Sequence, residues 1–355
     1  MKTKQPDDKN KSNVIRLPGV GFEQNAKAIR SNFTSIDDPT VVVSEQGSKG
    51  GTAKQTLRNE SGRLLQNRFE LQEKIGSGGM GDVYKALDRR LQEAHLDPYV
   101  AIKLLNRKFA RHKDAFIALQ REASKTRVIA SENIIKVYDF DRDDEIFFMG
   151  MEFLEGESLD EYLKHHPEGT SYKEALRIID GFCQGLIDAH SQNTIHSDLK
   201  PGNIFYTTDQ VVKVLDFGLA KAIQKPGTSK KGRDNTIFDP GSLGALTPVY
   251  AKYEMLTGDL PSKSDDVFAA ALVAYELFTG KHPFARKPAD EAFRLALKPK
   301  PIRVLDRGQW RAIQMALELR KADRTDTIEE FRSSLLSESL SSEIWKFIGK
   351  IFGTD

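Results

Sequence analysis

The stretch from Ile195 to Gly218 limits what this chain can become more than any other. It opens with Ile195-His196-Ser197-Asp198-Leu199-Lys200-Pro201-Gly202-Asn203 and closes with Leu215-Asp216-Phe217-Gly218. Between them lie Ile204-Phe205-Tyr206, a polar turn at Thr207 to Gln210 and the apolar run Val211 to Leu215, a pattern that predicts loop, strand, turn, strand, loop. A hairpin of that kind brings Asn203 and Asp216 together. An Asn amide oxygen and an Asp carboxylate so placed suit a hard cation such as Mg2+, which takes oxygen ligands and keeps part of its shell for substrate phosphates. Asp198, five residues before Asn203, then faces the substrate side.

This arrangement resembles the catalytic and metal-binding loops of the eukaryotic-type (Hanks-type) protein kinase family. Asp-Phe-Gly alone is weak; the weight lies in how many independent motifs follow in the right order. Phe69 to Ile75 alternates like a half-buried strand and leads into Gly76-Ser77-Gly78-Gly79-Met80-Gly81-Asp82-Val83-Tyr84. Asp82 to Ala86 is again strand-like, so these glycines join two strands. In a dinucleotide-binding fold they would open a helix. Backbone N–H groups of a strand–glycine loop–strand unit fold over ATP phosphates. Tyr99-Val100-Ala101-Ile102-Lys103-Leu104-Leu105 is a third strand, after a polar insertion, Arg89 to Pro98, read as a surface loop. A helix is expected over Asp114–Ala130, with Phe116, Leu119, Ala123 and Val128 among its apolar positions. Ile146 to Phe153 is an apolar strand. Ser171 to Glu174 is a candidate capping box opening a long helix with Leu176, Ile179, Phe182, Cys183, Leu186 and Ile187 on its apolar face. That face makes Cys183 a packing residue.

The resemblance covers about Phe69 to Leu335 and is closest in wording to bacterial serine/threonine kinases. It implies an α+β, two-lobed fold with a small β-rich N-lobe, about 69–154, and a larger, mostly helical C-lobe, about 155–335. It further implies an ATP site made by Ile75, Gly76, Ser77, Gly78, Gly79, Met80, Gly81, Val83, Ala101, Lys103, Glu122, Met151, Glu152, Phe153, Leu154 and Phe205. In that site Lys103, fixed by Glu122, holds the α- and β-phosphates. Met151 closes the back of the adenine pocket and Glu152 to Leu154 form the hinge. Asp198, Lys200 and Thr247 are the implied catalytic group; Asn203 and Asp216 hold Mg2+, with Mn2+ as a substitute. Leu219 to Ser242 resembles an activation segment, Asp266 the buried Asp beneath the catalytic loop, and Arg324 the arginine that pairs with Glu254. The chain departs from the pattern at Thr126, usually apolar, at Tyr253, usually proline, and at Ser197, where regulated members carry arginine.

Composition sets the remaining bounds. Hydrophobic residues at 39% allow a substantial core in 355 residues, and 53 basic against 51 acidic side chains give no overall field for nucleic acid. One cysteine rules out an intrachain disulfide framework, the first twenty residues lack a secretory core, and Val267 to Leu277 is too short to span a membrane. A soluble cytoplasmic protein without transmembrane segments is expected, acting on Ser/Thr of protein substrates. Residues 1–65 read as a disordered polar tail. Within it Asp37-Asp38-Pro39-Thr40-Val41-Val42-Val43 resembles a phosphothreonine ligand for forkhead-associated domains, against the plainer reading of a short apolar island. Residues 336–355 carry an amphipathic stripe, Ile344, Trp345, Ile348, Ile351 and Phe352. Two other classes stay open: a pseudokinase scaffold, which Tyr253, Thr126 and Ser197 favour, and a small-molecule kinase, against which Thr247 and Glu254 argue.

Overall fold

In the computed structural model the described residues are 60–78, 81–106, 120, 126–217, 248–250 and 262–337. The first half is a six-stranded sheet in the order β1-β2-β3-β4-β6-β5, made by β1 (Leu64–Leu65), β2 (Phe69–Gly78), β3 (Gly81–Asp88), β4 (Tyr99–Leu105), β5 (Val137–Asp143) and β6 (Ile146–Glu152). Every pairing in it is antiparallel. Alternate residues face one core, where Leu65, Phe69, Leu71, Tyr84, Ile102 and Phe148 are buried.

Two expectations are corrected here. Leu64 and Leu65, assigned to the tail on composition, form an edge strand of the sheet, and the turn before them is tied to it: Gly62 N–H donates to the Leu71 carbonyl at 2.7 Å, and Leu65 is fully buried. Averaging over a polar window hid a single anchoring leucine. The insertion read as a surface loop contains a helical turn, α1 (Arg89–Glu93), because the Asp88 side chain caps it by accepting from Arg90 N–H at 3.0 Å and Leu91 packs on the sheet core.

The second half is helical around α2 (Leu159–His165), α3 (Tyr172–Ser191), α4 (Lys263–Thr279), α5 (Ala289–Arg294), α6 (Arg307–Ala316) and α7 (Ile328–Leu336). A small sheet, β7 (Gly156–Ser158), β8 (Ile204–Thr207) and β9 (Val212–Val214), lies against α3. Every residue of α4 from Ser264 to Phe278 is buried, so this helix forms the centre of the lobe. It is capped at Ser262 by a capping box with Asp265, which puts Asp266 in its first turn. It ends at Gly280 with φ 66°, where a Cβ would stand 2.1 Å from the Pro167 carbonyl oxygen. No helix among the described residues is long and apolar enough to cross a membrane.

At the start of α3 the Ser171 side chain caps Glu174 N–H. Glu174's carboxylate does not return the bond; it accepts from Arg177 and from the Tyr206 hydroxyl. Cys183 is fully buried on α3, and burial pushes its thiol far up, as a packing residue requires. The helix expected over Asp114–Ala130 lies mostly outside the described residues. Its described end, Thr126 and Arg127, is helical, and Val128, read as apolar-facing, is 73% exposed beyond it.

The two halves are stitched between residues 133–135 and β9. Val214 N–H donates to the Asn133 carbonyl at 2.8 Å, Ile135 N–H to the Val214 carbonyl at 3.0 Å, and Asn133 Nδ2 to the Val212 carbonyl at 2.9 Å.

Candidate active site

The loop from Thr194 to Asn203 joins α3 to β8 and owes its shape to one buried carboxylate. Asp266, 1% exposed, accepts from His196 N–H at 2.8 Å, from Ser197 N–H at 2.9 Å and from His190 Nε2 at 2.8 Å. Burial alone would push its carboxyl up; the hydrogen bond and charge of His190, the charge of His196 and the His196 N–H outweigh that and hold it below its ordinary value. Ser197 sits at φ 70°, a left-handed conformation uncommon for a serine, held by that bond. His196 is a second brace. Its Nδ1 accepts from Asp198 N–H at 3.2 Å, so its Nε2 donates to the Leu215 carbonyl at 2.8 Å, and its ring lies 4.7 Å from Phe217. The two carboxylate motifs are thereby joined through one imidazole.

Asp198, Lys200 and Asn203 converge. Asn203 Nδ2 donates to the Asp198 carbonyl at 2.8 Å and to its Oδ2 at 3.2 Å, and Lys200 Nζ lies 3.2 Å from the same Oδ2. The predicted hairpin forms, with Ile204 opposite Val214. Leu215 N–H donates to the Asn203 carbonyl at 2.8 Å, which sets the residue before Asp216 against Asn203.

Asp216 reaches the first lobe. Its Oδ2 lies 2.6 Å from Lys103 Nζ, with the lysine side chain 8% exposed and the aspartate 27%. Burial pushes the Asp216 carboxyl up, but the charge and hydrogen bond of Lys103, with His196 and Lys200 behind it, bring it below its ordinary value and keep it ionised. Lys103 is opposite Val83 on β3 and Met149 on β6, in the middle of the sheet.

Beside this charged group lies an apolar cluster of Ile75, Val83, Ala101, Ile135, Met151, Phe205 and Leu215, with Phe153 and Leu154 packed on it. Seven of these nine are residues that the resemblance assigns to the ATP site. Ile135 and Leu215 are not among them, although Leu215 stands directly before Asp216. Glu152 closes β6, and its carboxylate accepts from Lys213 Nζ at 2.9 Å and from Lys136 N–H at 2.9 Å. That tie was also missed; its signal was a lysine, now 8% exposed, inside the apolar strand β9. Gly76, Ser77, Gly78 and Gly81 form the ends of the β2–β3 hairpin, with Gly78 opposite Gly81.

Gly79, Met80, Glu122, Thr247, Tyr253 and Glu254 lie outside the described residues, as do Thr40 and the stripe at 344–352. Arg324 donates to the carbonyls of Ser264, Glu318 and Leu319 and stands over the Phe268 ring.

Residues 69–355 match the family model of the protein kinase domain. The chain is 32% identical to the serine/threonine-protein kinase PrkC of Bacillus subtilis over 241 residues, 67% of this chain and 34% of the relative. It is 34% identical to the serine/threonine-protein kinase PknB of Mycobacterium tuberculosis over 225 residues, 62% of this chain and 34% of the relative. The chain thus spans about a third of the length of these curated relatives. Among solved structures, the apo form of PpkA-294 superposes with a TM-score of 0.63 at 22% identity, over 78% of this chain and 98% of that one. The PknI kinase domain of Mycobacterium tuberculosis gives 0.59 at 22% identity, over 78% and 97%. At such identities the superpositions speak for the fold.

Proposed function

The chain belongs to the protein kinase domain family, and on that premise we propose that it transfers the γ-phosphate of ATP to serine or threonine hydroxyls of proteins, itself included. The observation that carries the proposal is the joining of Lys103, from the centre of the first-lobe sheet, to Asp216 at 2.6 Å, beside the Asp198–Lys200–Asn203 group. A fixed cation, an ionised carboxylate and a second carboxylate held by an amide are what phosphoryl transfer asks of a protein, since the work is positioning and charge stabilisation.

In this reading the apolar cluster around Met151 takes the adenine, Glu152 to Leu154 meet its edge through the backbone, and Lys103 binds the α- and β-phosphates. Asp198 orients the acceptor hydroxyl and takes its proton as the new O–P bond forms and the bond from the γ-phosphorus to the ADP oxygen breaks. Lys200 offsets charge on the transferring group. The donor set fits a hard divalent cation: Asp216 is ionised, and Asn203 uses its Nδ2 toward Asp198, so its amide oxygen is the atom it has to offer. Two protein oxygens are few, as suits Mg2+, or Mn2+ in its place, which fills its shell with water and phosphate oxygens. When bound, such an ion neutralises charge on the phosphate oxygens. Serine/threonine preference rests on Lys200 and Thr247. The reading extends to Thr40, which once phosphorylated would dock a forkhead-associated domain.

Purified protein given labelled ATP and Mg2+ tests the proposal. Autophosphorylation and transfer to a basic Ser/Thr substrate are expected, falling about 10²–10⁴-fold in Asp198→Asn. No transfer in either assay overturns the reading in favour of a scaffold.

A further inference from the structure

The hairpin that carries the glycine loop is irregular where it needs to be firm. Between β2 and β3 the pairing shifts register twice, between Leu71 and Lys74 and again between Lys74 and Gly76. Backbone pairing is weakest immediately before the glycines, where a strand pair with a disrupted ladder twists and bends most readily. A side-chain bridge occupies that place. Asp82, 4% exposed, follows Gly81, and its Oδ1 accepts from the Ser77 hydroxyl at 2.5 Å and lies 2.7 Å from Lys74 Nζ. Ser77 is the cross-strand partner of Asp82, and Lys74 comes from the residue between the two shifts.

The surroundings show what the bridge holds. Ile75 follows Lys74 and Val83 follows Asp82, and both belong to the apolar cluster beside Lys103. Val83 is paired with Lys103 itself. Gly81, at φ 152°, lies so close to β4 that a Cβ would come 1.8 Å from the Leu104 carbonyl oxygen, so the far stem of the loop is seated on the lysine strand. The near stem, Lys74 to Gly78, is entered through the shifted part of the ladder, which becomes regular only from Gly76. Gly78, where a Cβ would meet nothing within 4 Å, is not held by packing.

We propose that Asp82 is a positioning residue for nucleotide binding: by gripping Ser77 and Lys74 it fixes the near stem of the glycine loop to the far one, and so holds Gly76 to Gly78 against Gly81 for the nucleotide phosphates. The bridge acts on binding of the nucleotide and leaves transfer from the bound nucleotide to the groups around Asp198. This inference rests on the kinase reading above.

Asp82→Asn, Ser77→Ala and Lys74→Met test it in the full chain, with affinity for ADP measured by titration calorimetry alongside KM for ATP and kcat. Asp82→Asn should weaken ADP binding and raise KM for ATP about tenfold, with kcat at saturating ATP within about twofold of wild type. Ser77→Ala and Lys74→Met should each give a smaller rise, and Ser77→Ala added to Asp82→Asn should add little, as groups sharing one bridge are not additive. A purely structural role would lower the melting temperature and leave the KM of the folded fraction where it was. Wild-type affinity in both Asp82→Asn and Lys74→Met, or a tenfold fall in kcat with KM unmoved, overturns the clamp. If Asp82→Asn fails to fold, the two single variants decide alone, since the Lys74 side chain is 39% exposed. Wild-type protein that binds no nucleotide overturns the kinase reading and the clamp together, whereas nucleotide binding unaffected by the substitutions overturns only the clamp.

Discussion

Asp266→Asn asks how much of the site depends on one buried carboxylate. The wild-type side chain accepts three hydrogen bonds, with Oδ2 shared by His190 and His196 N–H and Oδ1 taking Ser197 N–H. An asparagine has one acceptor oxygen. Its cheaper orientation keeps that oxygen toward His190 and His196 and turns its NH2 on Ser197 N–H. Stranding a buried N–H costs about 1–3 kcal/mol, and the two surviving bonds lose charge assistance worth about 1 kcal/mol each. The sum, about 3–5 kcal/mol, is a large part of a domain stability of about 5–15 kcal/mol. At about 2–4 °C per kcal/mol the melting temperature should fall by about 10 °C. Ser197, released from φ 70°, should relax toward ordinary backbone and carry Asp198 with it. Misplacing a reacting group by an ångström costs about 100-fold, so kcat at 20 °C should fall by that order although the protein is folded.

The substitution also has a pH signature. A carboxyl whose folded pKa lies below its unfolded value of 3.8 stabilises the fold above that value, and the contribution is lost as pH falls through the folded one. The gap in melting temperature between wild type and Asp266→Asn should therefore narrow as pH drops from about 5 to about 3. Calorimetric melts across that range, with kcat measured at neutral pH, are the assay. Melting within about 2 °C of wild type at pH 7 with undiminished kcat would refute the reasoning.

Glu276 behaves oppositely. It is 3% exposed, its Oε2 accepts from the Tyr250 hydroxyl at 2.8 Å, and burial pushes its carboxyl up to about 7 against that bond. With the folded value above the unfolded 4.5, stability drains as pH rises from 4.5 to about 7, and Glu276→Gln should gain on wild type over that interval in urea titrations; parallel curves would count against it. Gly185→Ala would bring a Cβ to 2.6 Å from the Asn133 carbonyl oxygen, backbone that cannot yield easily, and should cost about 1–3 kcal/mol. Gly202→Ala, which meets nothing within 4 Å, is the control and should stay within about 0.5 kcal/mol in the same denaturant assay. In the proposed kinase reading Ser197 stands where regulated members carry the arginine that pairs with a phosphorylated activation segment, and its hydroxyl is buried without a partner among the described residues. Alanine at Thr228, Ser229 and Thr236 together should leave most activity in a kinase assay, and near-complete loss would refute that view.

Much of the site was legible because its chemistry is written in short spacings. Asp198, Lys200 and Asn203 fall within six residues, and the turn at Thr207 to Gln210 forces Asp216 back toward them. The alternation of β2 to β4 put Lys103 on a strand, and the apolar period of α3 buried Cys183. Other features had no local signal. Leu64 and Leu65 look like tail until Leu65 joins Phe148, from a strand far along the chain, in one buried cluster. Arg89 to Pro98 look like loop until Asp88 and Leu91 find their partners. Glu174 sits at the position of a capping box, yet Arg177 and Tyr206 offer its carboxylate better partners than its own N-cap does.

The sequence by itself determined the family, the strands and the long helix that carry its motifs, and the charged residues of those motifs, because periodicity and turn chemistry act over a few residues and survive without neighbours. Only the tertiary structure decided what holds those residues in place. Asp266 meets His196 across 70 positions, Lys103 meets Asp216 across 113, and Lys213 meets Glu152 across 61. A buried polar group must find a partner wherever the fold supplies one, and no spacing along the chain records which partner that will be.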